Sequence, residues 1–392
     1  MATLPVLPLV LALAMKVLIA LNSAWNLLNF RSNLIRALID DGHTVVLASP
    51  SDEHVPALQA LGARFIDVPL HTHGTNPVAD LMLFGRFVHL LNRERPNVFL
   101  GYTAKPNVYG SLAAHLLNIS VINNISGLGS VFIKGGWISK LLQLLYRFAL
   151  SRSKWVFFQN PDDLQLFLTL RLVNKKQTVV LPGSGVDLQK FQNAPLPYLQ
   201  TTDSDNLGKR NFVFLLVTRM LRDKGVEEFV NAARSIKESH PQARCALLGF
   251  VDNNNPNSIS SRQIQMWVDE GVVSYWGTSK DVRVQLAQAD CVVLPSYREG
   301  TPRTLLEAAA MGRFLIATDV PGCREVVRDG FNGFLCQPKN YISLAEKMVQ
   351  TLCLSDSQFK DMAQKSRLWV EERFDERLVI AQYLMALRGL GL

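Results

Sequence analysis

The sequence is poor in cysteine and in long apolar runs. Five cysteines in 392 residues, Cys245, Cys291, Cys323, Cys336 and Cys353, are odd in number and form no CxxC pair or Cys/His cluster. That pattern excludes a disulfide framework and a zinc site, and it fits a reducing cytoplasm. The apolar stretch "MATLPVLPLVLALA" over residues 1–14 lacks the basic start of a secretory signal, contains Pro5 and Pro8, and is too short to span a bilayer. It reads as an extension ahead of the natural opening "MKVLIALNS", either an upstream start or a peripheral membrane foot. No short period recurs, which excludes a solenoid. With 48% hydrophobic and 19% charged residues, disorder is excluded too, and the length suits two α/β domains.

The net charge of +8 is uneven. Between residues 130 and 176, Lys134, Lys140, Arg147, Arg152, Lys154, Arg171, Lys175 and Lys176 face only Asp162 and Asp163, interleaved with Trp137, Leu141, Leu144, Leu145, Tyr146, Phe148 and Trp155. One reading lays this stretch on an anionic membrane surface; the other makes it an amphipathic core helix with a solvated basic edge.

From residue 16, short β-branched apolar runs alternate with amphipathic stretches: "KVLIALN", "HTVVLASP", "RFIDVPL", "NVFLGYT", "SVINNIS", "KWVFFQN" and "TVVLPGS". This is the signature of a parallel α/β sheet. A Pro-, Asp- and Asn-rich segment at 192–210 reads as a linker, after which the pattern restarts with "FVFLLVT", "CALLG", "VVSYWG", "CVVLP", "FLIAT" and "GFLC". The expected organisation is therefore an extension (1–14), a first Rossmann-like domain (15–191), the linker (192–210), a second Rossmann-like domain (211–374) and a C-terminal crossover helix (375–392). Open parallel sheets bind ligands outside the carboxyl ends of their strands, so two such domains would face each other across a substrate crevice.

Chemistry concentrates at two strand exits of the second domain. In "SYREGTPRTLLEAAAMG", Glu299 stands in a turn and Glu307 follows after seven residues. Thr301 suits a helix N-cap and Pro302 the first helical position, so free N–H groups would offer an anion site. Gly300 lets a phosphate or sugar approach the backbone. Glu307 could reach vicinal ribose hydroxyls and Glu299 sugar hydroxyls; alternatively Glu307 pairs with Arg303 at i,i+4 and Glu299 is simply solvated. "VTRMLRDKG" adds Arg219 and Lys224 at another strand exit, two cations that suit a diphosphate. Together these features describe a nucleotide-diphosphate sugar.

Those residues resemble the retaining glycosyltransferases of two Rossmann-like domains, the GT-B architecture, marked by Glu-x7-Glu after a strand and an earlier Arg…Lys-Gly turn. The likeness runs from Met15 through "KPNVYGSLAAHLLNISVINNISGLGSVF", "LPGSGVDLQKF", "REGTPRTLLEAAAMG" and "ATDVPGCREVVRDGFNGFL". The first-domain blocks are similar to the branch acting on undecaprenyl-diphosphate-linked sugars, including N-acetylgalactosaminyltransferases of bacterial glycan assembly. The resemblance implies that Arg219 and Lys224 hold the donor diphosphate and Glu307 the ribose. Glu299 would hold the transferred sugar together with the backbone from Gly300 to Arg303 and on to Thr304. It implies no cofactor and no metal; Asp203 to Asp205, in the linker, are not read as a metal motif. Gly127 and Gly129 of "SGLGS" would lie near the acceptor or donor phosphate.

Two departures stand out. The usual glycine pair of the first βα turn is replaced by "NSAWN", leaving Asn22 to shape the approach. The usual histidine after the middle strand is missing, and Lys105 occupies its region; Pro106 biases Lys105 toward an extended backbone that would carry it to the crevice. The expected activity is transfer of an N-acetylhexosamine from a UDP-sugar to a polyprenyl-diphosphate-linked saccharide, at the inner face of a bacterial plasma membrane and without a nucleic-acid partner. The alternatives are a UDP-sugar epimerase or hydrolase of the same architecture, and an inactive membrane-associated scaffold.

Overall fold

The computed structural model describes residues 14–70, 76–128, 136–200, 211–253 and 255–390. All thirteen apolar runs are strands: β1 (Lys16–Ala20), β2 (Thr44–Ser49), β3 (Arg64–Asp67), β4 (Val98–Tyr102), β5 (Ser120–Ile125), β6 (Trp155–Phe158) and β7 (Thr178–Val180), then β8 (Phe212–Val217), β9 (Ala243–Leu248), β10 (Ser274–Tyr275), β11 (Cys291–Leu294), β12 (Phe314–Thr318) and β13 (Phe334–Cys336). They form two sheets, ordered β3-β2-β1-β4-β5-β6-β7 and β10-β9-β8-β11-β12-β13. Neighbouring strands pair in parallel, as in Phe214 with Cys291 and Val17 with Val98. Such strands are covered on both faces, which is why β8, β11 and β12 read as near-continuous apolar runs.

Each sheet reverses its strand order once, between β1 and β4 in the first and between β8 and β11 in the second. These switch points are where helices leave on opposite faces and ligands of this fold class bind.

The chain divides into two compact units, residues up to Ser184 together with Arg377–Leu392, and Gly185–Glu376. The division falls ahead of the 192–210 segment because Arg313, wholly buried, binds the Ala194 and Pro195 carbonyls and fastens the start of that segment to the second unit. Residues 201–210 lie outside the described residues. In the first unit, Val379, Tyr383, Ala386 and Leu387 of the Glu376–Arg388 helix join the core of β1 and β4, and the Tyr383 hydroxyl accepts a 2.9 Å bond from Asn124.

Candidate active site

The β8–β11 switch point brings together most of the second-unit candidates. After β8, Arg222–Lys224 forms a single 3-10 turn, and Gly225 takes a left-handed φ of 72° before the Val226–Ile236 helix. A Cβ on Gly225 would lie 2.1 Å from the Pro295 carbonyl oxygen, so only glycine lets this turn press against the exit of β11. The Tyr297 N–H donates to the Asp223 carbonyl at 2.9 Å and stitches the two exits together. On the far side, Gly322 at φ 83° packs against the Gly300 carbonyl, where a Cβ would come within 2.3 Å.

This packing sets Lys224 Nζ 2.5 Å from Glu299 Oε1, with side chains only 14% and 16% exposed. Ser296 Oγ donates to the same carboxylate oxygen at 2.6 Å, and Thr318 Oγ1 donates to the Ser296 carbonyl. Glu299 is therefore a fixed carboxylate, not the solvated one allowed by the simpler sequence reading. Neither Ser296 nor Thr318 was singled out in the sequence; the Ser296 contact is local, three residues from Glu299, whereas the Thr318 contact exists because β11 and β12 lie side by side. Arg219 leaves β8 on the same turn and is exposed; its carbonyl accepts from the Leu221 N–H at 2.7 Å.

The helix after Glu299 spans Arg303–Ala310, one residue later than expected. Pro302, at φ −72° and ψ 112°, is the N-cap and not the first helical residue, and its carbonyl accepts from the Leu305 and Leu306 N–H groups. Thr301 is buried ahead of it, and no side chain caps this end. The Thr304 hydroxyl donates to the Val217 carbonyl at 3.2 Å, tying the helix to the end of β8. Its side chain is thus used for positioning, while its backbone N–H faces forward in the first turn. Arg303 Nε meets Glu307 Oε1 at 2.9 Å, the i,i+4 pair foreseen as the plainer reading. Burial pushes the Glu307 carboxyl above the usual range, and Arg303 opposes that shift. Beside the site, Tyr297 donates to Glu228 at 2.6 Å, and burial together with that carboxylate raises the tyrosine hydroxyl's pKa.

In the first unit, the β1 exit manages without glycine. Ser23 accepts from the Asn26 N–H, and Asn22 Oδ1 accepts from Asn26 Nδ2 at 3.0 Å, so polar caps shape the start of the Ala24–Asp40 helix. Lys105 does not extend beyond β4. The strand stops at Tyr102, Thr103 turns through a left-handed φ of 59°, and Lys105 is helical at φ −69° and ψ −46° immediately before the π-helical turn Pro106–Gly110. The bias imposed by Pro106 is overridden because that turn runs straight into the Ser111–Leu116 helix and packs against the Pro77–Glu94 and Trp137–Leu150 helices. Lys105 Nζ there binds Asp80 Oδ1 at 2.8 Å. Gly127 follows β5 at φ 133°; Gly129 lies outside the described residues.

Two family models match the chain: "Glycosyl transferase 4-like domain" over residues 30–183 and "Glycosyl transferases group 1" over residues 200–369. The chain is 29% identical, over 91% of its length and 94% of the relative's, to the N,N'-diacetylbacillosaminyl-diphospho-undecaprenol alpha-1,3-N-acetylgalactosaminyltransferase of Campylobacter jejuni. It is 26% identical, over 73% of its length and 74% of the relative's, to the UDP-Gal:alpha-D-GlcNAc-diphosphoundecaprenol alpha-1,3-galactosyltransferase of Escherichia coli. Among solved structures, Anabaena HepE in complex with UDP and glucose superposes with a TM-score of 0.75 at 19% identity, covering 95% of this chain and 99% of that one. Sucrose-phosphate synthase from Thermosynechococcus elongatus gives 0.78 at 19% identity, covering 96% and 99%. Both domains are thus of glycosyltransferase type, the second of group 1; the chain has the GT-B fold and is a hexosyltransferase.

Proposed function

We propose that the chain moves an N-acetylhexosamine from its UDP form to a hydroxyl of a polyprenyl-diphosphate-linked saccharide, with retention at the anomeric carbon, at the inner face of a bacterial membrane. The observation that carries the reading is the Lys224–Glu299 pair at the β8–β11 switch point, beside the N-terminus of the Arg303–Ala310 helix. A cation, a run of backbone donors and a carboxylate acceptor stand together there, as a diphosphate joined to a sugar requires. The relatives acting on undecaprenyl-diphosphate-linked sugars support the acceptor class, and the galactosaminyltransferase among them supports the sugar.

In this reading Lys224 and Arg219 bind the donor diphosphate, Glu307 the ribose, and Glu299 with the Gly300–Arg303 backbone the transferred sugar. The bond between the anomeric carbon and the β-phosphate oxygen breaks as the acceptor oxygen bonds to that carbon; UDP departs and the hydroxyl proton is released. Rate then comes chiefly from stabilising charge on the departing diphosphate, which Lys224, Arg219 and the helix N-terminus supply.

Labelled UDP-sugars incubated with and without a lipid-linked acceptor test this. Acceptor-dependent UDP release is expected; acceptor-independent turnover would show a hydrolase or epimerase instead. Turnover should survive excess EDTA, because protein cations neutralise the diphosphate. Loss of activity that added Mg or Mn restores would overturn that part.

A further inference from the structure

The Trp137–Leu150 helix of the first unit is split between two environments. Its inner face is core: Tyr146 is buried and meets Phe167 edge-on at 5.6 Å, while Leu142 and Leu145 pack against the same cluster. Its outer face is apolar but uncovered, with Trp137 73%, Leu141 48%, Leu144 49% and Phe148 58% exposed. At 100° per residue these four side chains fall within an arc of about 60°. Exposed Lys140 and Arg147 run along one flank, with exposed Arg152 and Lys154 just beyond the helix, and no acidic residue occurs between 136 and 154. Single exposed apolar residues are ordinary on a protein surface, but a four-residue stripe with a purely cationic border is not.

We propose that this face seats the first unit in the interface of an anionic bilayer. The stripe enters the boundary between headgroups and acyl chains, and the flexible stems of Lys140 and Arg147 carry their charges to lipid phosphates. A protein partner of ordinary interface composition would need acidic groups opposite this border, whereas anionic headgroups supply that charge everywhere in the plane. The structure thereby narrows the basic stretch of 130–176 to one helix face: Tyr146 and Leu145 belong to the core, Trp155 lies in β6, and Lys134 is outside the described residues. Among the described residues no helix is long and apolar enough to cross a membrane, so contact through this face is lateral. The inference rests on the lipid-linked-acceptor reading for its purpose but not for its test.

Purified full-length protein should co-sediment with phosphatidylethanolamine–phosphatidylglycerol vesicles and far less with phosphatidylcholine vesicles, no donor or acceptor being present. Trp137→Ser with Leu141→Ser should lower that partition by about tenfold or more. Lys140→Glu with Arg147→Glu should abolish the preference for anionic lipid and its sensitivity to salt. Both double variants should keep the parent's melting temperature and its turnover on a short-chain, water-soluble acceptor. Equal sedimentation of variants and parent would overturn the proposal, as would failure of the parent to bind vesicles while the variants disrupt a dimer. A wrong acceptor assignment would leave the vesicle result intact. Undiminished turnover by the variants on bilayer-borne acceptor would sink this inference and spare the proposed function.

Discussion

The two switch points hold their charges differently. At β8–β11, Lys224 and Glu299 come from the turns that leave the two central strands and meet directly at 2.5 Å, with Ser296 fixing the carboxylate from three residues earlier. At β1–β4, Lys105 is drawn sideways to Asp80 of the Pro77–Glu94 helix, and the β1 exit is capped by Asn22, Ser23 and the Asp52 carboxylate, which accepts from the Trp25 N–H at 2.9 Å. The second unit therefore presents opposite charges at the mouth of its switch point, whereas the first has a cation neutralised on its flank. A group held by its partner in the neighbouring strand's exit turn is poised to exchange that partner for a ligand group. A group tied to a packed helix must first be released.

The sharpest expected effect separates these cases. Lys224→Met and Glu299→Gln should each lower turnover by about 10- to 100-fold, the loss of a charge-assisted hydrogen bond costing about 1.5–3 kcal/mol. The double variant should lose less than the product of the singles, because each single replacement leaves the other group without its charged partner. Kinetics on a fixed donor and acceptor measure this. Strict multiplicativity would mean that the 2.5 Å contact does not operate during turnover.

Lys105 should matter less. Lys105→Met is expected to lower turnover on a lipid-diphosphate acceptor by about tenfold, with Lys105→Arg retaining part of it and donor affinity hardly changed. Asp80→Asn frees the ammonium and should leave turnover at or above the parent's. If Lys105→Met lowers only the melting temperature, the ion pair is structural, and the contrast between the switch points becomes one of function against packing.

Much of this was readable in the sequence, for physical reasons that also mark where reading stopped. Parallel strands buried on both faces must be continuous apolar runs, so "FVFLLV" and "CVVL" were visible as strands without knowing their neighbours. Lys224, Glu299 and Glu307 stood out because two short segments at strand exits carry them. What escaped were contacts set by strand order or by distant helices. Ser296 and Thr318 meet only because β11 lies beside β12, and the Lys105–Asp80 pair joins residues 25 apart in sequence. Local rules failed outright at Lys105, where tertiary packing overrode the preference imposed by the following proline, and at Pro302, which caps its helix instead of starting it.

The smallest expected effect concerns Glu307, where binding and stability should pull apart. Glu307→Gln should raise the KM for donor with turnover little changed, since a ribose contact persists from ground state to transition state. The same replacement should change how stability follows pH. Burial raises the Glu307 pKa more than Arg303 lowers it, so the folded chain holds this proton more tightly than the unfolded chain does. Folding stability from this group must then fall as pH rises from the ordinary carboxylate range, near about 4.3, through the raised folded value. Glutamine carries no such proton. Arg303 stays charged throughout, and its attraction for the Glu307 carboxylate is already contained in the net upward shift. Melting curves of parent and variant should therefore diverge in the variant's favour as pH increases across that window and run parallel on either side. Divergence in the opposite direction would mean that the pairing with Arg303 outweighs burial, and that the free enzyme already holds Glu307 as a stabilised carboxylate.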